Sequence, residues 1–90
     1  MIFKKTEIHV MGQVLRGFRE QQHISQEKLA EMASIHRTYA GGIERGERNP
    51  SFKSLNKILV SLNVSWTDFG KALDEQLLIR KNQKKNCEGQ

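Results

Sequence analysis

Along most of the chain, apolar residues recur at spacings of three and four, the period of an α-helix that buries one face. Ile8, Met11, Val14/Leu15 and Phe18 form the first series and predict helix one over about Thr6 to Gln22. No segment alternates apolar and polar residues for long enough to predict a strand. His23 follows helix one and suits a left-handed position after its last turn. Ser25 is then an N-cap, with Gln26 and Glu27 suited to a first turn. Lys28 stands where a capping box places an acid, so the cap is partial.

Helix two is expected over Gln26 to Ala33, burying Leu29, Ala30 and Ala33, with Ser34-Ile35 as a short turn. Helix three begins near His36 or Arg37 and ends at Arg45, with Gly46 after it. Its apolar face is Tyr39, Ala40 and Ile43. Glu47-Arg48-Asn49-Pro50 reads as a loop. Ser51 caps helix four, whose expected buried face is Phe52, Leu55, Leu59 and Leu62 with Ile58 alongside, and Asn63 closes it. Ser65 caps helix five, where Trp66, Phe69, Leu73 and Leu77 form the next stripe, Trp66 and Phe69 as core residues. The fold class is therefore all-α, five short helices in one bundle.

Leu73, Leu77, Leu78 and Ile79 exceed what one face of helix five can bury. That surplus predicts a homodimer through helices four and five, with Leu73, Leu77 and Leu78 at the interface. Ile79 folding back onto helix one of the same chain is the other use of it.

Ninety residues make one domain. A lone Cys87 cannot form an internal disulfide, and it reads as an incidental surface thiol or as a redox switch. The longest apolar runs are triplets, Ile58-Leu59-Val60 and Leu77-Leu78-Ile79, so no membrane contact is expected. Charged residues from Lys4 onward leave no room for a signal-peptide core, and the expected location is the cytoplasm.

Fifteen basic against ten acidic residues give a net charge of +5, unevenly placed. Residues 80–90 carry +3 from Arg80, Lys81, Lys84 and Lys85 against Glu88. They are expected to be a basic polar C-terminal tail after a domain over 1–79. Such a tail is either a solvated, disordered end or an additional attraction to phosphates. Residues 36–57 also carry +3, from Arg37, Arg45, Arg48, Lys53 and Lys57 against Glu44 and Glu47. A basic patch inside structured chain is the more informative of the two.

Catalytic chemistry finds no support. His9, His23 and His36 lack metal-ligand spacing, and no nucleotide-binding loop or nucleophile elbow is present. No enzyme activity, metal or cofactor is expected.

The unit from Ile24 to Gly46 is a short helix, a tight turn and a second short helix. Ala30 is small enough to let the two axes approach, while Leu29, Ala33, Ile35 and Ile43 seal the angle between them. Arg37, Thr38, Gly41 and Gly42 remain as a polar edge on helix three. A helix with an Arg at its uncluttered N-terminal end suits the DNA major groove.

On these residues, positions 12–69 resemble the lambda-repressor-like helix-turn-helix domain of the XRE type. The stretch from His36 to Ser51, His-Arg-Thr-Tyr-Ala-Gly-Gly-Ile-Glu-Arg-Gly-Glu-Arg-Asn-Pro-Ser, is similar to the controller proteins of restriction–modification systems. That resemblance implies a small dimeric transcription factor that binds palindromic operators and times endonuclease expression. It places Arg37, Thr38 and Tyr39 at base-reading positions, with Gly41 and Gly42 beside them. Ser25 and Gln26 at the start of helix two, and Asn49, Ser51 and Lys53 at the start of helix four, fall where the family contacts the DNA backbone. Arg19 and Glu44 fall where it keeps a partly buried ion pair. Departures are Ser34 at the turn position usually held by Gly, Ala40 in place of Ile or Val, and the paired glycines. The glycines either admit the groove wall or make a tolerated weak helix.

The expected partners are a double-stranded DNA operator and a second copy of the chain. RNA polymerase is a further candidate, through Glu27, Glu31 or the loop between helices three and four. Two rival readings stay open: an antitoxin or similar protein-interaction module, and a charge-driven nucleic-acid accessory without sequence preference.

Overall fold

In the computed structural model, residues 4–88 are described, with side chains described over 4–81. Five helices follow one another: α1 (Lys5–Gln21), α2 (Gln26–Ala33), α3 (Arg37–Glu44), α4 (Phe52–Leu62) and α5 (Trp66–Glu88). Each boundary has a local cause. The Glu7 carboxylate accepts the Lys4 N–H at 2.8 Å and opens α1. Ser25, Ser51 and Ser65 accept N–H groups three residues on, at 3.0, 3.1 and 3.0 Å, and cap α2, α4 and α5. The cap of α3 is less usual, since His36 Nδ1 accepts the Thr38 N–H at 3.3 Å.

Three helices end in the same way. His23, Ser34 and Asn63 take left-handed backbone, with φ of 57°, 55° and 56°. The N–H of the next residue then reaches back five positions: Ile24 to Arg19, Ile35 to Ala30 and Val64 to Leu59. These are Schellman closures with their hydrophobic contact, because Ile24, Ile35 and Val64 each pack against the core. A polar residue followed by an aliphatic one is thus the stop signal of α1, α2 and α4.

The core lies where α1 crosses α3 and α5 and where α2 meets α3 and α4. Val10, Met11, Val14 and Leu15 of α1 meet Leu29 and Ala33 of α2, Ile43 of α3, and Leu55, Ile58, Leu59 and Leu62 of α4. Phe69 closes it from α5. Gly12 lies on the same face of α1, and a Cβ there would fall on the carbonyl oxygens of Ile43 and Glu44. That glycine lets α1 touch the C-terminal turn of α3. Gly46, at φ 75°, is also pressed against α1, where a Cβ would stand 2.8 Å from His9 Cα.

Several expectations are corrected. Phe52 does not face the core: it is 75% exposed, and Trp66 is 40% exposed. The two stack on one another at 4.9 Å with ring planes 6° apart, and Trp66 Nε1 donates to Asn56 Oδ1 at 2.9 Å. Ring-on-ring contact takes the place of burial in the core, and both remain open to solvent. Leu73 and Leu77 pack partly against their own chain's core, so of the three expected interface leucines Leu78 alone is widely exposed. No helix end falls at residue 79, since α5 continues to Glu88. Cys87 and the basic residues Lys84 and Lys85 lie outside the described side chains. No described helix is long and apolar enough to cross a membrane.

Candidate nucleic-acid interface

A largely buried ion pair ties α3 to α1. Arg19 of α1 donates through Nε and Nη2 to the two carboxylate oxygens of Glu44, at 2.8 and 2.9 Å. Its Nη1 donates to the Ile24 carbonyl at 2.8 Å. The side chains are 12% and 4% exposed, and Glu44 also accepts from Gln26 Nε2 at 3.1 Å. Three helices therefore converge on one carboxylate, with α1 and α2 both bonded to the last turn of α3. The hydrogen bond that Arg19 donates to Glu44, more than the charge, holds the guanidinium above its ordinary pKa. The fork geometry suits Arg and cannot be reproduced by Lys.

Outward from this clamp, α3 presents Arg37, Thr38, Gly41 and Arg45 on one face. With Ser25, Gln26 and Glu27 they line a shallow concavity of about 380 Å³ between the starts of α2 and α3. Gly41 forms its floor: a Cβ there would stand 2.9 Å from Arg45 Nη1 and 3.0 Å from Gln26 Oε1. Arg37 is exposed and lies 3.3 Å from the Glu27 carboxylate. An exposed pair of this kind contributes at most about 1 kcal/mol and is easily exchanged for another partner. Arg45 forms a two-point contact with Glu47 at 3.0 and 3.2 Å. That hydrogen bond lowers the Glu47 pKa and raises that of Arg45.

Other expected site residues stand differently. Gly42 is not on the open edge, because the stem of Arg48 lies across it, with Cγ 2.6 Å from where a Cβ would be. The close neighbour that the second glycine admits is therefore this arginine of the same chain. Tyr39 packs partly on the core and accepts the Ser51 N–H through its hydroxyl at 3.3 Å, joining α3 to the start of α4. The Ser25 and Ser51 hydroxyls are engaged as caps, and the Gln26 amide is turned toward Glu44. Asn49 and Lys53 are exposed on either side of Ser51. A second groove, of about 460 Å³, runs between α1 and α5 past Val14, Gly17, Phe18 and Ala72. Its polar lining is the amides of Gln13, Gln21 and Gln76, with no charged side chain.

Sequence reasoning missed three features here. The role of Gly12 was signalled by its place on the apolar face, four residues after Ile8. The bond from Gln26 to Glu44 and the seat of Arg48 on Gly42 had no signal, since both depend on where separate elements come to rest.

Five helices with a short pair, α2 and α3, meeting at a tight turn beneath an exposed arginine edge define a helix-turn-helix protein. The helix-turn-helix family (HTH_3) matches residues 15–69, and the chain belongs to it. Within it, the chain is 43% identical over 60 residues to the control protein C.BamHI of Bacillus amyloliquefaciens, covering 66% of this chain and 74% of that one. It is 39% identical over 56 residues to the control protein C.SmaI of Serratia marcescens, covering 62% and 67%. Among solved structures, the wild-type restriction–modification controller protein C.Esp1396I superposes with a TM-score of 0.76 at 35% identity, covering 80% of this chain and 95% of that one.

Proposed function

We propose that this protein is a restriction–modification controller: a homodimeric, sequence-specific regulator of transcription that binds a two-fold symmetric operator. The observation that carries the reading is the exposed Arg37-Thr38 edge on a helix clamped from behind by Arg19, Gln26 and Glu44. A helix held in place from behind, with an exposed arginine fork at its entry turn, is what the major groove accommodates. C.Esp1396I has been solved as a tetramer in complex with its natural 35 base-pair operator. It has also been solved with substitutions in turn at a consecutive arginine, threonine and tyrosine. Arg37-Thr38-Tyr39 is the Arg-Thr-Tyr run of this chain.

Arg37 and Thr38 read base edges in this reading. Phosphates are held by the amino-terminal turn of α4, by Lys53 and by Asn49, with the backbone N–H groups of Ser25 and Gln26 at the start of α2. Tyr39 supports this frame from α3 through its bond to Ser51. Gly41 keeps the groove-facing surface low. The second copy docks on the stripe Phe52, Asn56 and Val60 of α4 with Trp66 beside it. Phe52 and Val60 are 75% and 70% exposed, the surplus a dimer consumes. The basic residues within 80–90 add sequence-independent attraction to DNA. For activation, RNA polymerase is the further partner, and the loop between α3 and α4, exposed from Glu47 to Asn49, is the surface offered to it.

Paired substitutions test the division of labour. Arg37→Ala is expected to relax base preference at one position of each half-site, by about 1–3 kcal/mol. Lys53→Ala is expected to weaken all duplexes alike and to reduce the salt dependence by about one ion. Equal loss of operator and random binding in Arg37→Ala would contradict the assignment.

A further inference from the structure

The face of α3 that carries the arginines is not simply basic. Arg37 stands 3.3 Å from Glu27, and Arg45 is bonded to Glu47, so each outward arginine meets a carboxylate in the free protein. Glu27 lies in the first turn of α2, where the helix dipole favours an anion, and it lines the same concavity as Arg37, Thr38 and Gly41. It is exposed, as is its partner. A carboxylate at this place opposes close approach of any phosphate backbone, yet it lines the surface that is to meet one.

We propose that Glu27 is a specificity-determining residue, a counter-ion that withholds Arg37 from phosphates and yields it to a guanine edge. This rests on the operator-binding reading above. A phosphate offers Arg37 a hydrated contact that any sequence provides. Guanine O6 and N7 offer two parallel acceptors in a groove from which water is displaced. In a random complex the Glu27 charge faces phosphates with nothing gained in return, whereas on the operator the two guanine acceptors offset the loss of its pair with Arg37. Random duplexes are therefore penalised more than the operator, and specificity arises as a difference between the two affinities through a repulsive element. Because the pair is solvent-exposed, the effect is a modest factor and not a switch.

The test compares Glu27→Gln with Glu31→Gln, which removes the same charge from α2 outside the concavity. Binding of each is measured to a duplex selected by the wild-type protein and to a random duplex, at one salt concentration. Circular dichroism confirms that each variant is folded. The expected result is that Glu27→Gln strengthens random binding about 2–5-fold more than operator binding, lowering the specificity ratio by that factor. Glu31→Gln is expected to change both affinities alike and leave the ratio unchanged. An unchanged ratio in Glu27→Gln would overturn the proposal, reducing Glu27 to one more surface charge. A loss confined to the operator would also overturn it, because Glu27 would then touch a base itself. Absence of any preference in the wild-type protein would instead remove the operator-binding reading, and the proposal with it.

Discussion

Arg19 and Glu44 meet fork to fork, 25 residues apart in sequence, through two hydrogen bonds of 2.8 and 2.9 Å. The pair is the joint between the helix that anchors the core and the helix that carries Arg37. Its carboxylate is almost wholly covered, so loss of Arg19 leaves Glu44 buried with the Gln26 amide in place of a cation, and loss of Glu44 leaves the Arg19 fork with the Ile24 carbonyl. Arg19→Ala or Glu44→Ala is expected to cost about 3–5 kcal/mol. For a domain of this size that is a fall in Tm of about 4–8 °C per kcal/mol, measured by thermal unfolding. Replacing both by apolar residues of similar volume is expected to recover much of the loss. Independent, additive effects of the two single substitutions would contradict a direct coupling.

Two glycines of α1 should respond in opposite directions to the same substitution. Gly12→Ala places a methyl on the backbone of α3, where no side chain can give way. It is expected to destabilise by more than about 2 kcal/mol and to displace the recognition helix. Gly17 has open space around its Cα, and Gly17→Ala is expected to stabilise by about 0.5–1 kcal/mol. Urea unfolding of both variants checks the contrast, and equal effects would refute the close approach of α1 and α3.

The turn between α2 and α3 holds Ser34 at φ 55°. A left-handed L-residue costs about 1–2 kcal/mol, part of which glycine gives back in unfolded-state entropy. Ser34→Gly is expected to stabilise by about 0.5–1 kcal/mol and to leave DNA preference unchanged. A lower Tm would indicate that the Ser34 side chain makes a contact worth more than the backbone strain.

Val60 lies at the far end of the exposed stripe of α4, beyond the Phe52–Trp66 stack. Val60→Glu is expected to leave the fold intact and shift the protein from dimer to monomer in sedimentation equilibrium. Operator affinity should fall with it, because two half-sites are then no longer bound as a unit. A variant that remains dimeric would move the interface to Leu78 and its neighbours on α5.

Much of this architecture is legible in the chain itself. Serines 25, 51 and 65 mark three helix starts, and His23, Ser34, Gly46 and Asn63 mark four ends, because caps and left-handed stops are local chemistry. The helix-turn-helix unit is legible because Leu29, Ala30, Ala33, Ile35 and Ile43 have one consistent arrangement. What periodicity does not reveal is which of two apolar faces a short helix turns inward. On α4, Phe52 begins the series that Leu55, Leu59 and Leu62 continue, yet it lies outside, held by Trp66 from the next helix. The same limit applies to Gly42, whose neighbour Arg48 arrives from a loop, and to Gln26, whose partner is set by tertiary packing.

The central claim is that two copies of α3 read a symmetric sequence. Selection of bound duplexes from a random pool at near-physiological salt, followed by sequencing, tests it most directly. A two-fold symmetric motif is predicted, with half-sites about one helical turn, roughly 34–36 Å, apart, and the loss of one preferred guanine per half-site in Arg37→Ala. Recovery of no motif, with binding that vanishes as salt rises, would contradict it and leave the basic face of α3 as a generic phosphate surface.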